Sequence, residues 1–317
     1  MPIFTLSARA QGRCGMAKIR EIVVVSGKGG TGKTSITAAF AAIAKDTLIC
    51  DLDVDVPDLY ILLQPTVQKT SPFMGGNKAQ IVQDTCQHCE NCASLCRFDA
   101  IRLKNGIYEV DETACEGCGV CYTLCPAKAI HFPPCQCGQI FESETRFGPM
   151  VHAELVPGQE NSGKLVSVLK SKARSLAQEK SLSTILCDGS PGIGCPVVSS
   201  LSGASLVLAV IEPTVSGWHD FERVAGVCDH FHIPCCVLIN RYDLNPAGTA
   251  QIEEKLETSH YTYVGRLPFS EELIRATNRG ICITEEKSTL SDQIRDIWAQ
   301  LQVFTPKTAR GVLRHLA

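Results

Sequence analysis

The stretch GKGGTGKT at residues 27–34 fits the pattern GxxxxGK[ST], a spacing in which each residue type has a task at a polyphosphate. The glycines let backbone N–H groups wrap phosphate oxygens, Lys33 reaches toward the β and γ phosphates, and Thr34 offers a hydroxyl to Mg2+. Gly27, Lys28, Gly29, Gly30, Thr31, Gly32, Lys33, Thr34 and Ser35 are therefore the expected nucleotide cradle. Two acidic stretches, CDLDVDVPDL at 50–59 and LCDGSPGIGCPV at 186–197, each begin in a short apolar run. A positioned carboxylate and Mg2+ are most of what phosphoryl transfer asks of a protein. A second GxxxxGK, GQENSGKL at 158–165, follows Pro157 and has leucine after its lysine, so it reads as the start of a helix.

The cysteines raise a different chemistry. Of 18, eight fall between Cys86 and Cys125, in the runs CQHCENCASLC (86–96) and CEGCGVCYTLC (115–125). Cys86, Cys89, Cys92, Cys96, Ala100 and Ile101 recur 29 residues later as Cys115, Cys118, Cys121, Cys125, Ala129 and Ile130, the mark of two copies of one small unit. Each run, CxxCxxCxxxC, resembles the two-cluster bacterial ferredoxins, in which three cysteines of a run hold one [4Fe–4S] cubane and the fourth crosses to the other. That resemblance implies one cluster on Cys86, Cys89, Cys92 and Cys125 and a second on Cys115, Cys118, Cys121 and Cys96. Zinc is the rival, but a tetrahedral site gives no reason for the third and fourth cysteines to repeat at identical offsets. Glu90 stands where a glycine is usual and Arg97 where a proline is usual, the latter adding positive charge near a cluster. His88 and His131 are expected in solvent and Cys195 as a buried thiol; for Cys135 and Cys137 the alternatives are extra ligands or a redox pair, but CxC strains a disulfide and they are read as unligated thiols. Cys50, Cys187, Cys235 and Cys236 lie in apolar runs and are read as core.

Positioning these groups requires a layered scaffold. The runs IVVVSG (22–27), TLICDLD (47–53), TILCDGS (184–190), LVLAVIE (206–212) and CCVLIN (235–240) are apolar on both faces, with helical stretches between them. They predict an α/β fold: a mostly parallel sheet with helices on both faces and the ligand beyond the strand ends. The pattern breaks from 77 to 134, which reads as an inserted ferredoxin-like domain. The expected organisation is an N-terminal extension (1–16) ahead of a natural start at Met16, an ATPase domain in two parts (17–76 and 135–303), the insert (77–134) and a tail (304–317). A formal charge of −3 argues against a broad basic surface for nucleic acid or lipid, and no apolar run reaches bilayer length, so a cytoplasmic protein with no nucleic-acid partner and no stable membrane insertion is expected.

Lys28, one residue after the first glycine, resembles the signature lysine of the deviant Walker A motif in the MinD, ParA, Mrp and nitrogenase iron protein group. The resemblance extends from Met16 to about Gln302, through GQENSGKLV and EPTVSG. It implies that ATP with Mg2+ is the ligand and that Lys28 reaches the nucleotide of a partner in a homodimer or a dimer with a close paralogue. It further implies that Asp53 orients the attacking water with Lys28 and Lys33 as the other catalytic groups, that Asp51 supports the metal, that Thr34 and Asp188 hold Mg2+, and that the backbone up to Gly192 senses the γ phosphate. Asp55 and Asp58 read as solvated loop carboxylates. NRYD at 240–243 resembles both NKxD, in which the Asp reads guanine, and the Asn-containing base loop of the MinD group, which uses ATP; Asn240 is the expected base contact, bordered by Pro268. With the dicluster insert, the whole resembles MinD-superfamily ATPases that carry a ferredoxin domain. The function this implies is an ATP-gated iron–sulfur protein that passes electrons or a metallocluster to an accepting partner. Two alternatives are a MinD/ParA-type positioning ATPase with a redox-sensing insert and a ferredoxin-type electron carrier on a relic scaffold.

Overall fold

In the computed structural model residues 19–156 and 161–305 are described. The extension at 1–16, the tail beyond 305 and residues 157–160 of the second GxxxxGK stretch lie outside them. The chain runs through β1 (Arg20–Ser26), α1 (Lys33–Ala41), β2 (Thr47–Asp51), α2 (Leu59–Leu63) and the long β3 (Thr66–Asn77). Residues 78–133 then form β4 (Gln80–Ile81), α3 (Asn91–Ser94), β5 (Ile101–Lys104), β6 (Ile107–Val110), α4 (Val120–Leu124) and β7 (Ile130–His131). The return is through β8 (Pro134–Thr145) and β9 (Gly148–Leu155) into α5 (Ser162–Glu179), β10 (Thr184–Pro191), α6 (Cys195–Leu201), β11 (Leu206–Ile211) and α7 (Val215–His230). The remaining elements are β12 (Cys235–Asn240), α8 (Pro246–Glu257), β13 (Thr262–Leu267), α9 (Glu271–Asn278) and α10 (Thr289–Val303).

Nine strands form one sheet in the order β13-β12-β11-β1-β10-β2-β9-β8-β3. From β13 to β9 every neighbouring pair is parallel, and β8 alone runs against the rest. β2, β11 and β12 are buried along their whole length and β1 from Glu21 onward, and alternate residues enter opposite cores: Val23 and Val25 face one, Ile22 and Val24 the other. This is the two-faced burial that continuous apolar runs require. At the far edge, β3 (TVQKTSPFMGGN) is mostly exposed, with Pro72 and Lys69 suited to an unpaired margin.

Asn77 at the end of β3 pairs with Pro134 at the start of β8, so residues 78–133 hang from adjacent ends of one antiparallel pair. Because β3 runs in the same direction as β2 and β10, those ends lie on the carboxyl edge of the sheet, where the phosphate loop also stands. That shared edge brings cluster and nucleotide chemistry to one side of the molecule.

Behind the phosphate loop, α1 is buried from Ile36 to Ala41, and Phe40 stacks on Trp298 of α10 with ring centroids 5.1 Å apart. Phe40→Ala is expected to cost about 3–5 kcal/mol in denaturant unfolding; a loss within about 0.5 kcal/mol, the size of a surface change, would contradict this packing.

Candidate functional site

The loop 27–32 leads from β1 into α1 by using φ values that only glycine adopts freely, +80° at Gly30 and +91° at Gly32. Gly32 caps α1 without a side-chain hydrogen bond, which leaves the first helical N–H groups aimed at the cleft, as an anion site needs. Gly27 has a packing reason as well: a Cβ there would come 2.2 Å from Cβ of Asp220 on α7. A cleft of about 640 Å3 opens over the loop, lined by Gly29, Lys33, Thr34, Asp53, Pro191 and Arg241 among others. Gly30, Gly32 and Ser35 line it too, while Thr31 is buried beneath it.

Three carboxylates converge on one ammonium. Lys33 Nζ lies 2.9 Å from Asp188 and 3.5 Å from Asp53, all three largely buried. The hydroxyls of Thr34 and Thr37 donate to the two oxygens of Asp188 at 2.7 and 2.9 Å, and the Asp53 N–H donates to Asp51 at 3.0 Å. Burial works to lower the Lys33 pKa, but Asp188, Asp53 and Asp51 override it and the net direction is up. Burial pushes the Asp51 carboxyl well above the carboxylate range, with Asp188 adding to it. Burial also raises Asp53, against the pull of Lys33. The second oxygen of Asp51 is buried with no hydrogen-bond partner among the described residues. An orphaned carboxylate oxygen in a cluster with more acid than base fits a hard divalent cation. Thr34, Asp188 and Asp51 are the residues that would hold Mg2+, which when bound neutralises charge on the phosphates.

The strand ends are tied to one another. Ser190 Oγ donates to the Leu52 carbonyl at 2.8 Å, linking the two acidic loops. Gly192, expected to sense a γ phosphate, has φ of +88° and donates its N–H to the Ser26 carbonyl at 2.9 Å. Asp55 and Asp58 are exposed, as solvated loop carboxylates should be. Asn240, the expected base contact, donates one amide N–H to the Thr31 carbonyl at 2.7 Å and accepts from Arg241 N–H. It braces the phosphate loop with one of its two amide hydrogens. Pro268 follows β13, half-buried.

Lys28 points away from its own Lys33–Asp188 pair and meets Glu212 at 2.9 Å; the other oxygen of Glu212 takes Arg241 at 2.6 Å. Sequence reasoning assigned no role to Glu212, Arg241 or Thr37. EPTVSG and NRYD follow the ends of β11 and β12, and Thr37 is one helical turn beyond Lys33, so position was the available signal.

In the insert, one small cavity is lined by Cys86, Cys89, Cys92 and Cys125, and another by Cys96, Cys115, Cys118 and Cys121. Each therefore gathers three thiols of one run and the fourth of the other, a donor set that fits a cubane. Among the described residues no three Cys, His, Asp or Glu side chains converge tightly enough for a single ion, as zinc with sulfurs about 2.3 Å from a common centre requires. The repeat reaches the backbone: His88, Glu90 and Asp99 have φ of +52°, +66° and +49°, and Gly117, Gly119 and Lys128, 29 residues on, have +64°, +74° and +49°. Glu90 thus adopts the left-handed turn that glycine makes in the second copy, at a cost of roughly 1–2 kcal/mol. His88, His131 and Arg97 are exposed, so the Arg97 charge is screened by solvent. The module's own core is small, chiefly Ala79, Ala100, Ile101, Tyr108, Ala129 and Ile130.

Cys50, Cys187, Cys235 and Cys236 are buried in the sheet. Cys195, expected to be buried, is exposed at the first residue of α6, because the loop from Gly192 to Gly194 carries it out of the sheet layer. Cys135 and Cys137, expected as unligated thiols, are free and have sulfurs 3.3 Å apart.

Fold and cleft together define a P-loop nucleotide-binding domain with an iron–sulfur insert. The chain belongs to the family described as the CobQ/CobB/MinD/ParA nucleotide binding domain, which matches residues 22–283, and is a MinD-superfamily ATPase carrying a ferredoxin domain. It is 28% identical to an uncharacterized protein of Methanocaldococcus jannaschii over 90% of this chain and 98% of that one. It is 22% identical to the septum site-determining protein MinD of Bacillus subtilis over 82% of this chain and 80% of the relative. A 47-residue segment is 49% identical to an uncharacterized ferredoxin of M. jannaschii, 14% of this chain and 31% of that protein. The fold is also that of Pyrococcus horikoshii MinD, solved with Mg-ADP, with TM-score 0.57, 16% identity and coverage of 90% and 96%. Among the described residues no helix is long and apolar enough to cross a membrane.

Two outcomes follow. Burial raises the pKa of Asp51, a residue that would hold Mg2+, above the ordinary carboxylate value of about 4, so a divalent cation there competes with a proton. Mg2+-nucleotide binding should therefore release protons and tighten as pH rises from that value, with Asp51→Asn flattening the dependence. Calorimetry in buffers of different ionisation heat measures this, and zero net proton release contradicts it. Removing iron from the purified protein should open residues 78–133 to protease while the main domain keeps its unfolding transition, since a small metal-held module loses its folding energy with the metal. Equal protease resistance before and after iron loss would overturn that expectation.

Proposed function

We propose that this protein binds and hydrolyses ATP with Mg2+ and couples nucleotide-dependent dimer switching to the state of two [4Fe–4S] clusters, which pass electrons or a metallocluster to an accepting protein. The single observation that carries the coupling is a chain of contacts between the second acidic loop and the insert. Gly163 at the start of α5 lies against Cys195: a Cβ there would be 3.1 Å from the Cys195 Cβ. The neighbouring Lys164 donates to the carbonyls of Gly75 and Met74, at 3.1 and 3.4 Å, on the end of β3 from which the insert hangs. This gives the lysine of the second GxxxxGK stretch a structural task. On the other side, the first acidic loop runs through α2 directly into β3. Movement of either loop on nucleotide exchange is transmitted to the root of the cluster module.

Lys28 has a reason to move. Its ion pair with Glu212 is partly exposed and so worth at most about 1 kcal/mol. A partner's polyphosphate offers it a stronger counter-charge, and the partner is a second copy or a close paralogue. Electron transfer is named in one relative: 94 residues of this chain are 37% identical to the thiosulfate reductase electron transfer subunit of Salmonella typhi, over 48% of that protein.

The direct test is hydrolysis and sedimentation of anaerobically purified protein holding about eight irons per chain. MgATP should shift the wild type to a dimer, and Lys28→Ala should lose dimerisation and at least tenfold in hydrolysis while keeping its iron. Hydrolysis that is independent of protein concentration and unaffected by Lys28→Ala contradicts the dimer switch.

A further inference from the structure

Cys135 and Cys137 take no part in either cavity that gathers the eight cluster thiols. They lie on β8 at the root of the insert. Residues two apart on a regular strand are separated by about 6.7 Å of rise, yet these sulfurs are 3.3 Å apart. The cause is a double irregularity: the register between β3 and β8 shifts between Phe73 and Met74 and again between Met74 and Gly76. Cys137 thereby becomes an extra residue on β8 and Gly75 an extra residue on β3. Gly75 leaves the room: a Cβ at that position would lie 2.9 Å from Cβ and 3.1 Å from Sγ of Cys137. The two thiols are unlike in access, Cys135 half-buried and Cys137 only 1% exposed.

We propose that Cys135 and Cys137 form a dithiol–disulfide couple that exchanges with low-molecular-weight disulfides, a two-electron site distinct from the clusters. The accessible Cys135 attacks as thiolate on one sulfur of the incoming disulfide. A Cys135–S–S–R bond forms, the old S–S bond breaks, and the departing thiolate takes up a proton. Cys137, also as thiolate, then attacks Cys135 Sγ, closing the internal disulfide and expelling the second thiolate, which takes up the other proton. Two protein thiols are oxidised and one disulfide is reduced to two thiols, with no further co-reactant. The bulge that brings the sulfurs together also seats Gly75, whose carbonyl holds Lys164, so the closed bond stiffens the point where the insert joins the nucleotide domain.

The test equilibrates the iron-loaded protein, without oxygen, in buffers of glutathione and glutathione disulfide, quenches with acid, alkylates and maps the peptides by mass. A peptide carrying Cys135 and Cys137 should lose two hydrogens, with the oxidised-to-reduced ratio rising about tenfold for each tenfold in disulfide over thiol squared, and iron content should stay constant. Cys137→Ser should stop at a glutathione adduct on Cys135, and Cys135→Ser should prevent oxidation of the pair. Full alkylation of both thiols across the series, adducts without the internal bond in the wild type, or iron lost in step with thiol oxidation would each overturn the assignment.

Discussion

Lys33 buried among Asp51, Asp53 and Asp188 is the constraint around which the rest is arranged. Three largely buried acids and one base are acceptable only if protons or a metal ion offset the surplus charge. Raised pKa values at Asp51 and Asp53 and the unpartnered oxygen of Asp51 are the marks of that imbalance. The sheet holds the imbalance in place: β10 lies between β1 and β2, so the phosphate loop and both acidic loops leave from adjacent strand ends. Ser190 and Gly192 then bond each loop to its neighbour. A change in the charge of the pocket must be felt by all three loops together.

The insert hangs from the same edge of the sheet. Strand direction, and not proximity in sequence, puts the end of β3 on the same edge as the phosphate loop, and the start of α5 touches both sides, with Gly163 against Cys195 and Lys164 on the carbonyls of Met74 and Gly75 in β3. The cluster module has few buried apolar residues of its own, so its shape depends on the metal sites inside it and on the two strands that hold it.

Chemistry written in short spacings was legible in the sequence. GKGGTGKT, the aspartates at strand ends and the 29-residue cysteine repeat depend on neighbours along the chain, and the apolar runs marked β1, β2, β10, β11 and β12 because strands buried on both faces have no other composition open to them. β3 was not legible, since an exposed edge strand carrying Lys69, Pro72 and two glycines looks like a loop. β8 and β13 mix polar and apolar residues without the continuous run of a buried strand. Contacts that depend on distant elements were also out of reach. Glu212 meeting Lys28, Asn240 turning to Thr31, the outward turn of Cys195 and the approach of Cys135 to Cys137 all follow from register or loop direction. Glu90 is the instructive middle case: the missing glycine was visible in the sequence, but that the backbone keeps the glycine's conformation was not.

The account rests on movement at the nucleotide reaching the clusters, and the midpoint potentials and EPR spectra of the reduced clusters with and without MgATP measure it most directly. The account predicts that MgATP shifts potential or line shape in the wild type, and that Lys164→Ala, which releases the end of β3, diminishes the shift while ATP is still hydrolysed. Spectra and potentials that are identical with and without MgATP, in a protein that turns over ATP, would contradict it.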